Sequence, residues 1–411
     1  MQYVDRNWEE TNRDYFTRPA TVIVTIYQSD ELSPIIGGNN IGSFTHEKSG
    51  DILSGILTQD KVTVVINDPE DRYNFSDEPG NSIYKNAKMK VTEGFLRPDS
   101  PSYYGIDGGI YYISSVDSDS YQRKFTITAA SILAFMTEKL KDIEGVMSAS
   151  ELVDYVISQA NRSKYVPSSR IPVEYDSSLD NITVEFNSSD NYSLAETLQL
   201  IANACSCILY VDRKGVIQIQ KLGDICENYV LSGKILYEPL SVKFADRIGN
   251  IELSSNHGHT TTHTQFEGDN IGALQKATNV ILNDDDATTI RIAIDMLYKL
   301  KAASKTYTAN CRIDPALDLF DMIAVPYGKT VVPACVVGID AEFTGAWKGN
   351  IKAVTVDNVL LDLRICDIEL LTIQQFESLR IEQLEPNTIS DIDGDFMASK
   401  NGELAYWNGD D

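Results

Sequence analysis

Cys311–Val356 reads CRIDPALDLFDMIAVPYGKTVVPACVVGIDAEFTGAWKGNIKAVTV, and the fold turns on this stretch. It is a run of short strands punctuated by turns. Asp314-Pro315 opens a turn, because the residue before a proline is pushed out of the helical region. Met322–Val325 is a brief apolar strand. Pro326-Tyr327-Gly328-Lys329 predicts a hairpin, since proline presets φ and glycine accepts positive φ. Val331–Ile339 is a longer strand, Thr344-Gly345 a bend, and alternation returns over Ile351–Val356. A meander of this kind closes a small barrel or sandwich; it does not line a catalytic cleft.

Upstream, strands are predicted near Ile235–Phe244 and Gly249–Leu253. A helix follows from Ala287 to Ser304, led by Asp284-Asp285-Asp286, whose carboxylates offset the positive helix terminus. Ile290, Ile294, Leu297, Tyr298 and Lys301 are expected on its inner face. Residues 226–365 thus form one β-rich domain. Residues 1–140 form another, an N-terminal arm followed by strands at Ala20–Tyr27, Lys61–Asn67, Ala87–Gly94, Gly109–Val116 and Arg123–Ala129. Residues 141–225 lie between them and change character. Ser148-x-x-Glu151 and Ser193-x-x-Glu196 are capping boxes, each opening an amphipathic helix. A hairpin turning at Asp212–Gly215 follows. Residues 366–411 are a C-terminal extension. Its apolar residues are too sparse for a core of their own and are expected to order on a partner. It carries the hairpin dipeptides Asp393-Gly394, Asn401-Gly402 and Asn408-Gly409. The expected class is α+β, mainly β: two small β-barrel domains flanking an α+β insert, with a C-terminal extension.

Pro315-x-Leu317, the acidic-led strand Asp321–Val325, the hairpin and the Phe343-Thr344-Gly345 bend resemble the second tube domain of bacteriophage tail hub, or baseplate hub, proteins. That family includes the N-terminal region of tail-associated proteins. Val64–Asp68, Met89–Gly94, Gly109–Ile113 and Phe125–Ala129 follow the order of the first hub domain. Tyr210-Val211-Asp212-x-x-Gly215-x-Ile217 resembles the small insert between the two. Phe320-Asp321 stands where the family usually has Gly-Asp, which puts the shape of that turn in question. The resemblance implies a structural, non-enzymatic protein: a homotrimeric ring that joins the tail tube or distal tail protein to tip, spike or fibre proteins. It implies residence in the virion tail after assembly in the host cytoplasm, transient passage of DNA through the ring, and no cofactor. Two other classes stay open, a receptor- or carbohydrate-binding tail protein and a hydrolase working through an acid pair.

The charge fits a channel wall. Sixty acidic residues against 35 basic give a net charge of −25, and no Lys/Arg run supplies a basic stripe for nucleic acid. An acidic lumen would let a polyanion slide, although simple solubility accounts for such a charge as well. Six cysteines without zinc-like spacing read as small buried residues. The polar N-terminus is no signal peptide, and no apolar run reaches membrane-spanning length. Nucleophile elbow, Walker loop, dinucleotide fingerprint and His-Glu-x-x-His are all missing, and His46-Glu47 has no second histidine at the required spacing. Asp391-Ile-Asp393-Gly-Asp395 fails the EF-hand pattern at positions six and twelve and reads as a turn. His257, His259 and His263 share one face of an extended segment and could bind zinc, nickel or iron. The preferred alternative is a polar loop, because no acidic or cysteine ligand lies at zinc spacing.

Overall fold

The computed structural model describes residues 20–28, 31–37, 40–68, 83–96, 103–119, 123–187, 191–222, 229–231, 235–245, 248–255, 260–264, 273–283, 286–327, 330–356, 371–372, 396–398 and 404–406. The first β-rich segment holds β1 (Ala20–Gln28), β2 (Glu31–Gly37), β3 (Ile41–Ser49), β4 (Gln59–Asn67), β5 (Lys88–Leu96), β6 (Tyr103–Asp119) and β7 (Lys124–Ala130). The insert holds β8 (Glu144–Ser148), α1 (Ala149–Arg162), β9 (Val173–Tyr175), β10 (Thr183–Asn187), α2 (Leu194–Ala204), β11 (Ile208–Val211) and β12 (Ile217–Gln220). Then come β13 (Tyr229–Val230), β14 (Ser241–Phe244), β15 (Ile248–Ser255), β16 (Thr260–Thr264), β17 (Ala273–Asn279) and α3 (Asp286–Ala302). The second β-rich segment ends with β18 (Lys305–Cys311), β19 (Met322–Tyr327), β20 (Thr330–Phe343) and β21 (Trp347–Thr355), and β22 (Leu371–Thr372), β23 (Phe396–Ala398) and β24 (Leu404–Tyr406) follow.

The mainly β, α+β class is as the sequence predicts, but the strands do not close into barrels. Among the described residues there is no closed barrel. One sheet runs β14-β18-β21-β20-β3-β4-β7-β6-β5-β1-β2, with β19, β13 and β22 off that path. The reason lies in β20. Its first half pairs with β19, and Gly338–Phe343 pairs with β3 over Phe44–Ser49. Each β-rich segment would otherwise leave an edge of unpaired backbone groups, and joining them covers both edges. The seam is packed by aromatics: Phe44 and Phe343 sit edge-on and tilted against Trp347, at 5.8 and 5.2 Å between ring centroids. The two segments share one apolar core, from Val22, Val64 and Met89 to Ile339, Trp347 and Ile351.

The insert follows its sequence closely. In both capping boxes the serine hydroxyl accepts from the third helical N–H, at 3.2 Å in each, and the glutamate accepts from the serine N–H at 3.0 Å (Ser148) and 2.7 Å (Ser193). Leu152, Val153, Val156, Ile157 and Ala160 of α1 are buried, as the periodicity predicts. They pack with α2, β11, β12 and α3 in a second core. The inner face of α3 is rotated from the expected one. Ile290 is 38% exposed, whereas Ile292, Ala293, Met296, Leu297 and Lys299 are buried.

Lys299 explains the rotation. Its ammonium donates to Ser206 O at 2.6 Å and Ser206 Oγ at 2.9 Å, and lies 3.1 Å from Asp295. Lys221 donates to Cys205 O. Both cations therefore sit at the C-terminal, negative end of α2. In the C-terminal extension, β23 pairs with β24 antiparallel, and the Asn401-Gly402 dipeptide between them lies outside the described residues. Leu371 and Thr372 pair with Val331 and Thr330 of β20, so part of the extension joins the chain's own sheet. The Asp391–Asp395 turn lies outside the described residues. Among the described residues, no helix is long and apolar enough to cross a membrane.

Candidate functional site

Strand alternation places ionisable groups on the core face. From Phe44 the inward residues of β3 are Phe44, His46 and Lys48, and those of β5 are Met89, Val91 and Glu93. Lys48 faces Asp60 across the β3–β4 ladder. Tyr111 enters from β6. The β11–β12 turn contributes Arg213, and the loop before β19 contributes Asp318. Three parts of the chain thus meet at one buried charged junction.

Its geometry is specific. His46 Nε2 lies 2.9 Å from Asp60 Oδ1 and 2.7 Å from the Tyr111 hydroxyl, and Nδ1 lies 3.3 Å from Glu93 Oε1. Tyr111 donates to Gly108 O at 3.0 Å. Lys48 donates to Asp318 Oδ1 at 2.6 Å, and Arg213 Nε donates to Asp318 Oδ2 at 2.7 Å. The remaining Arg213 donors reach Asp107 O and Leu317 O at 3.0 and 2.8 Å. Asp314 faces the same small cavity. With both imidazole nitrogens aimed at carboxylates, the ring donates twice only as the imidazolium. His46, Lys48 and Arg213 then balance Asp60, Glu93 and Asp318. A neutral His46 would leave an uncompensated carboxylate among these groups, which is costly.

The proton affinities follow. Burial and Lys48 disfavour the His46 charge, but the hydrogen bonds to Asp60 and Glu93 outweigh them and raise its pKa above 6.5. Burial likewise opposes ionisation of Asp318, yet Lys48 and Arg213 hold its carboxyl well below the usual carboxylate range. Burial, with Asp60 and Glu93, pushes Tyr111 well above its ordinary value, so it stays a neutral donor. A group whose folded pKa is raised contributes stability that is complete below the unfolded value and lost as pH rises through the folded one. Urea stability of the wild type is therefore expected to fall as pH rises through and beyond 6.5, with a smaller fall in His46→Gln. An NMR titration should place the His46 ring above 6.5. Equal pH dependence in the two proteins would contradict this assignment.

The cavity between these groups measures about 10 Å³, room for one water and for no sugar or peptide. Asp318 is held by Lys48 and Arg213, and Asp60 and Glu93 by His46, so the junction ties the two β-rich segments to the insert instead of presenting an acid pair to a substrate. The neighbouring turn strengthens it. Phe320 adopts φ 64 and is fully buried, so this phenylalanine keeps the left-handed turn for which glycine is the usual residue. Asp318 N donates to Asp321 Oδ2 at 2.6 Å, and Phe320 N donates to Val336 O at 2.8 Å. The Phe320 ring lies 5.6 Å from that of Tyr210 in the insert. It also presses on Gly50, where a Cβ would stand 2.6 Å from Phe320 Cζ.

Of the residues singled out in the sequence, His257 and His259 lie outside the described residues, and His263 sits in β16 opposite Ile251. Among the described residues no group of three His, Cys, Asp or Glu could hold a metal ion. Cys205, Cys207, Cys311 and Cys335 are buried free thiols, and Cys226 and Cys366 lie outside the described residues. Burial pushes Cys207 up to about 11 and Cys311 up to about 12, which makes both poor nucleophiles. Lys48, Asp60, Glu93, Arg213 and Asp318 match no motif, and His46 enters the sequence reading only as an incomplete His-Glu pair. The signal that finds His46 and Lys48 is their period-2 spacing from Phe44.

By sequence, the chain matches no family model and no curated protein. Its fold does have counterparts. A tail protein from Neisseria meningitidis MC58 superposes with a TM-score of 0.55 at 10% identity, covering 82% of this chain and 98% of that one. The prophage MuSo2 tail protein from Shewanella oneidensis gives a TM-score of 0.52 at 12% identity, over 81% and 98%. Prophage tail protein gp18 from Listeria monocytogenes EGD-e gives 0.52 at 11% identity, over 80% and 94%. The resemblance read from the sequence therefore holds at the level of fold.

Proposed function

From a chain with the fold of phage tail proteins, we propose a structural component of a tail tip or baseplate: a homotrimeric hub ring around the DNA channel. It joins the tail tube or distal tail protein to tip, spike or fibre proteins, and it resides in the virion tail after assembly in the host cytoplasm. The observation that carries this reading is a fold shared with phage tail proteins over four-fifths of the chain, at identities of 10–12%. The proposed division is a β-rich tube domain at 1–140, an insert at 141–225, a second tube domain at 226–365 and an extension at 366–411.

The open sheet supports the ring. Its path ends at β14 and β2, and neither end has a further partner among the described residues. Exposed edges invite pairing with another chain. Near the β14 end, Phe244 and Tyr237 are 63% and 55% exposed, an apolar display that a neighbouring chain would cover. Head-to-tail pairing of one end on the other is a heterologous contact, and such contacts give closed rings when the rotation closes. Sedimentation equilibrium at micromolar concentration is expected to give the mass of three chains. A folded monomer at high micromolar concentration would contradict the ring.

A further inference from the structure

We infer that the cleft between β5–β6 and the insert is a docking site for a carboxylate-bearing segment of a partner protein chain. Lys88, Arg170 and Lys214 converge on a cleft of about 240 Å³, together with Ile110, Tyr112 and Ser168, and among the described residues no acidic one lines it. In a chain with 60 acidic against 35 basic residues, three cations around one concavity without a carboxylate depart from the rest of the molecule. All three are exposed, and none has an ion-pair partner among the described residues. Lys88 only stands over the Tyr27 ring, at 5.6 Å.

The walls are preformed. Lys88 faces Tyr112 across the β5–β6 ladder. Gly215 takes φ 80 and closes the β11–β12 turn against Ile110, where its Cβ would lie 3.3 Å from Ile110 Cβ. Asp212 Oδ1 accepts from Lys214 N and Val216 N, both at 2.9 Å, which fixes the turn. Ser168 Oγ donates to Arg170 O at 3.0 Å, and Asn161 Oδ1 accepts from Ile171 N at 2.8 Å, which fixes the opposite loop. A segment that docks here meets ordered backbone on both sides and avoids an ordering cost.

Charge decides the occupant. Ion pairs made by solvated cations are individually weak, too weak to retain a small anion without further contacts. Nucleic acid needs a longer basic track, on the order of six to ten phosphate contacts, and the net charge of −25 repels it. An acidic peptide supplies carboxylates to the three cations and apolar surface to Ile110, Tyr112 and Pro172. This inference rests on the cleft alone and does not require the ring.

The test is fluorescence anisotropy of a labelled hexaglutamate peptide against the full-length protein, with hexaglutamine as the neutral control. Hexaglutamate is expected to bind more tightly than hexaglutamine. The triple variant Lys88→Gln, Arg170→Gln, Lys214→Gln is expected to weaken it about 10-fold or more, and about 0.5 M salt to do the same. These substitutions are at the surface, and circular dichroism checks that the fold is kept. Equal binding of the two peptides, or undiminished binding to the triple variant, would overturn the inference. Displacement of the peptide by inorganic tripolyphosphate or duplex DNA at a lower concentration than by unlabelled hexaglutamate would also overturn it, because the cleft would then select phosphate.

Discussion

Asp318→Asn is expected to lower the free energy of unfolding by about 3–5 kcal/mol, the cost of removing one partner from a buried ion pair. Asp318 is the shared anion of Lys48 and Arg213, at 2.6 and 2.7 Å. The side chains of both cations are less than a tenth exposed, 4% for Lys48 and 8% for Arg213. Asparagine keeps the shape but removes the charge, and two cations are then left facing each other. Asp318 itself is 22% exposed, so some water reaches the site and the lower end of the range is favoured. Replacing Asp318 and Arg213 together by apolar residues of similar volume should cost less than the single change, because Lys48 then still has Asp60, 4.0 Å away, as its counter-charge. Urea unfolding of both variants checks this. A loss under about 1 kcal/mol for Asp318→Asn would mean that the triad behaves as a surface network.

Phe320→Ala is expected to cost about 3–5 kcal/mol, as large-to-small changes of buried aromatics do. Phe320→Gly is expected to cost less than Phe320→Ala, the reverse of the usual order. At φ 64 a Cβ carries a penalty of roughly 1–2 kcal/mol that glycine escapes. Gly50→Ala puts a Cβ 2.6 Å from the Phe320 ring and should cost about 1–3 kcal/mol by overpacking. In a Phe320→Leu background the same change should be nearly neutral, because the atom it strikes is gone. Thermal or urea unfolding of the wild type, the single variants and the Gly50→Ala/Phe320→Leu double variant measures these effects and their coupling. A strictly additive pair, or an alanine variant more stable than the glycine variant, would contradict this packing.

Much of the architecture is written in short-range patterns. Val62, Val64 and Ile66 alternate inward in β4, the two serine–glutamate boxes open α1 and α2, and Asp212–Gly215 turns the hairpin. Such patterns specify which face is buried; they do not specify which strand lies alongside. The β3–β20 pairing joins residues about 300 positions apart, and nothing local in Phe44–Ser49 distinguishes it from closure of a separate barrel. The charged junction is hidden for the same reason. His46, Lys48 and Glu93 are ordinary surface residue types, and only their partners on β4, the β11–β12 turn and the loop before β19 make them interior ones. The Phe320-Asp321 departure shows the opposite case. A local rule asks for glycine, and long-range packing against Gly50 and Tyr210 outweighs it.

The proposed ring would be closed by the two free ends of this open sheet. The most direct test is a set of averaged particle images of the purified full-length protein at micromolar concentration. A threefold ring with a central hole is expected, with the sheet ends β14 and β2 at the contacts between chains. Compact single-chain particles without a hole would contradict it.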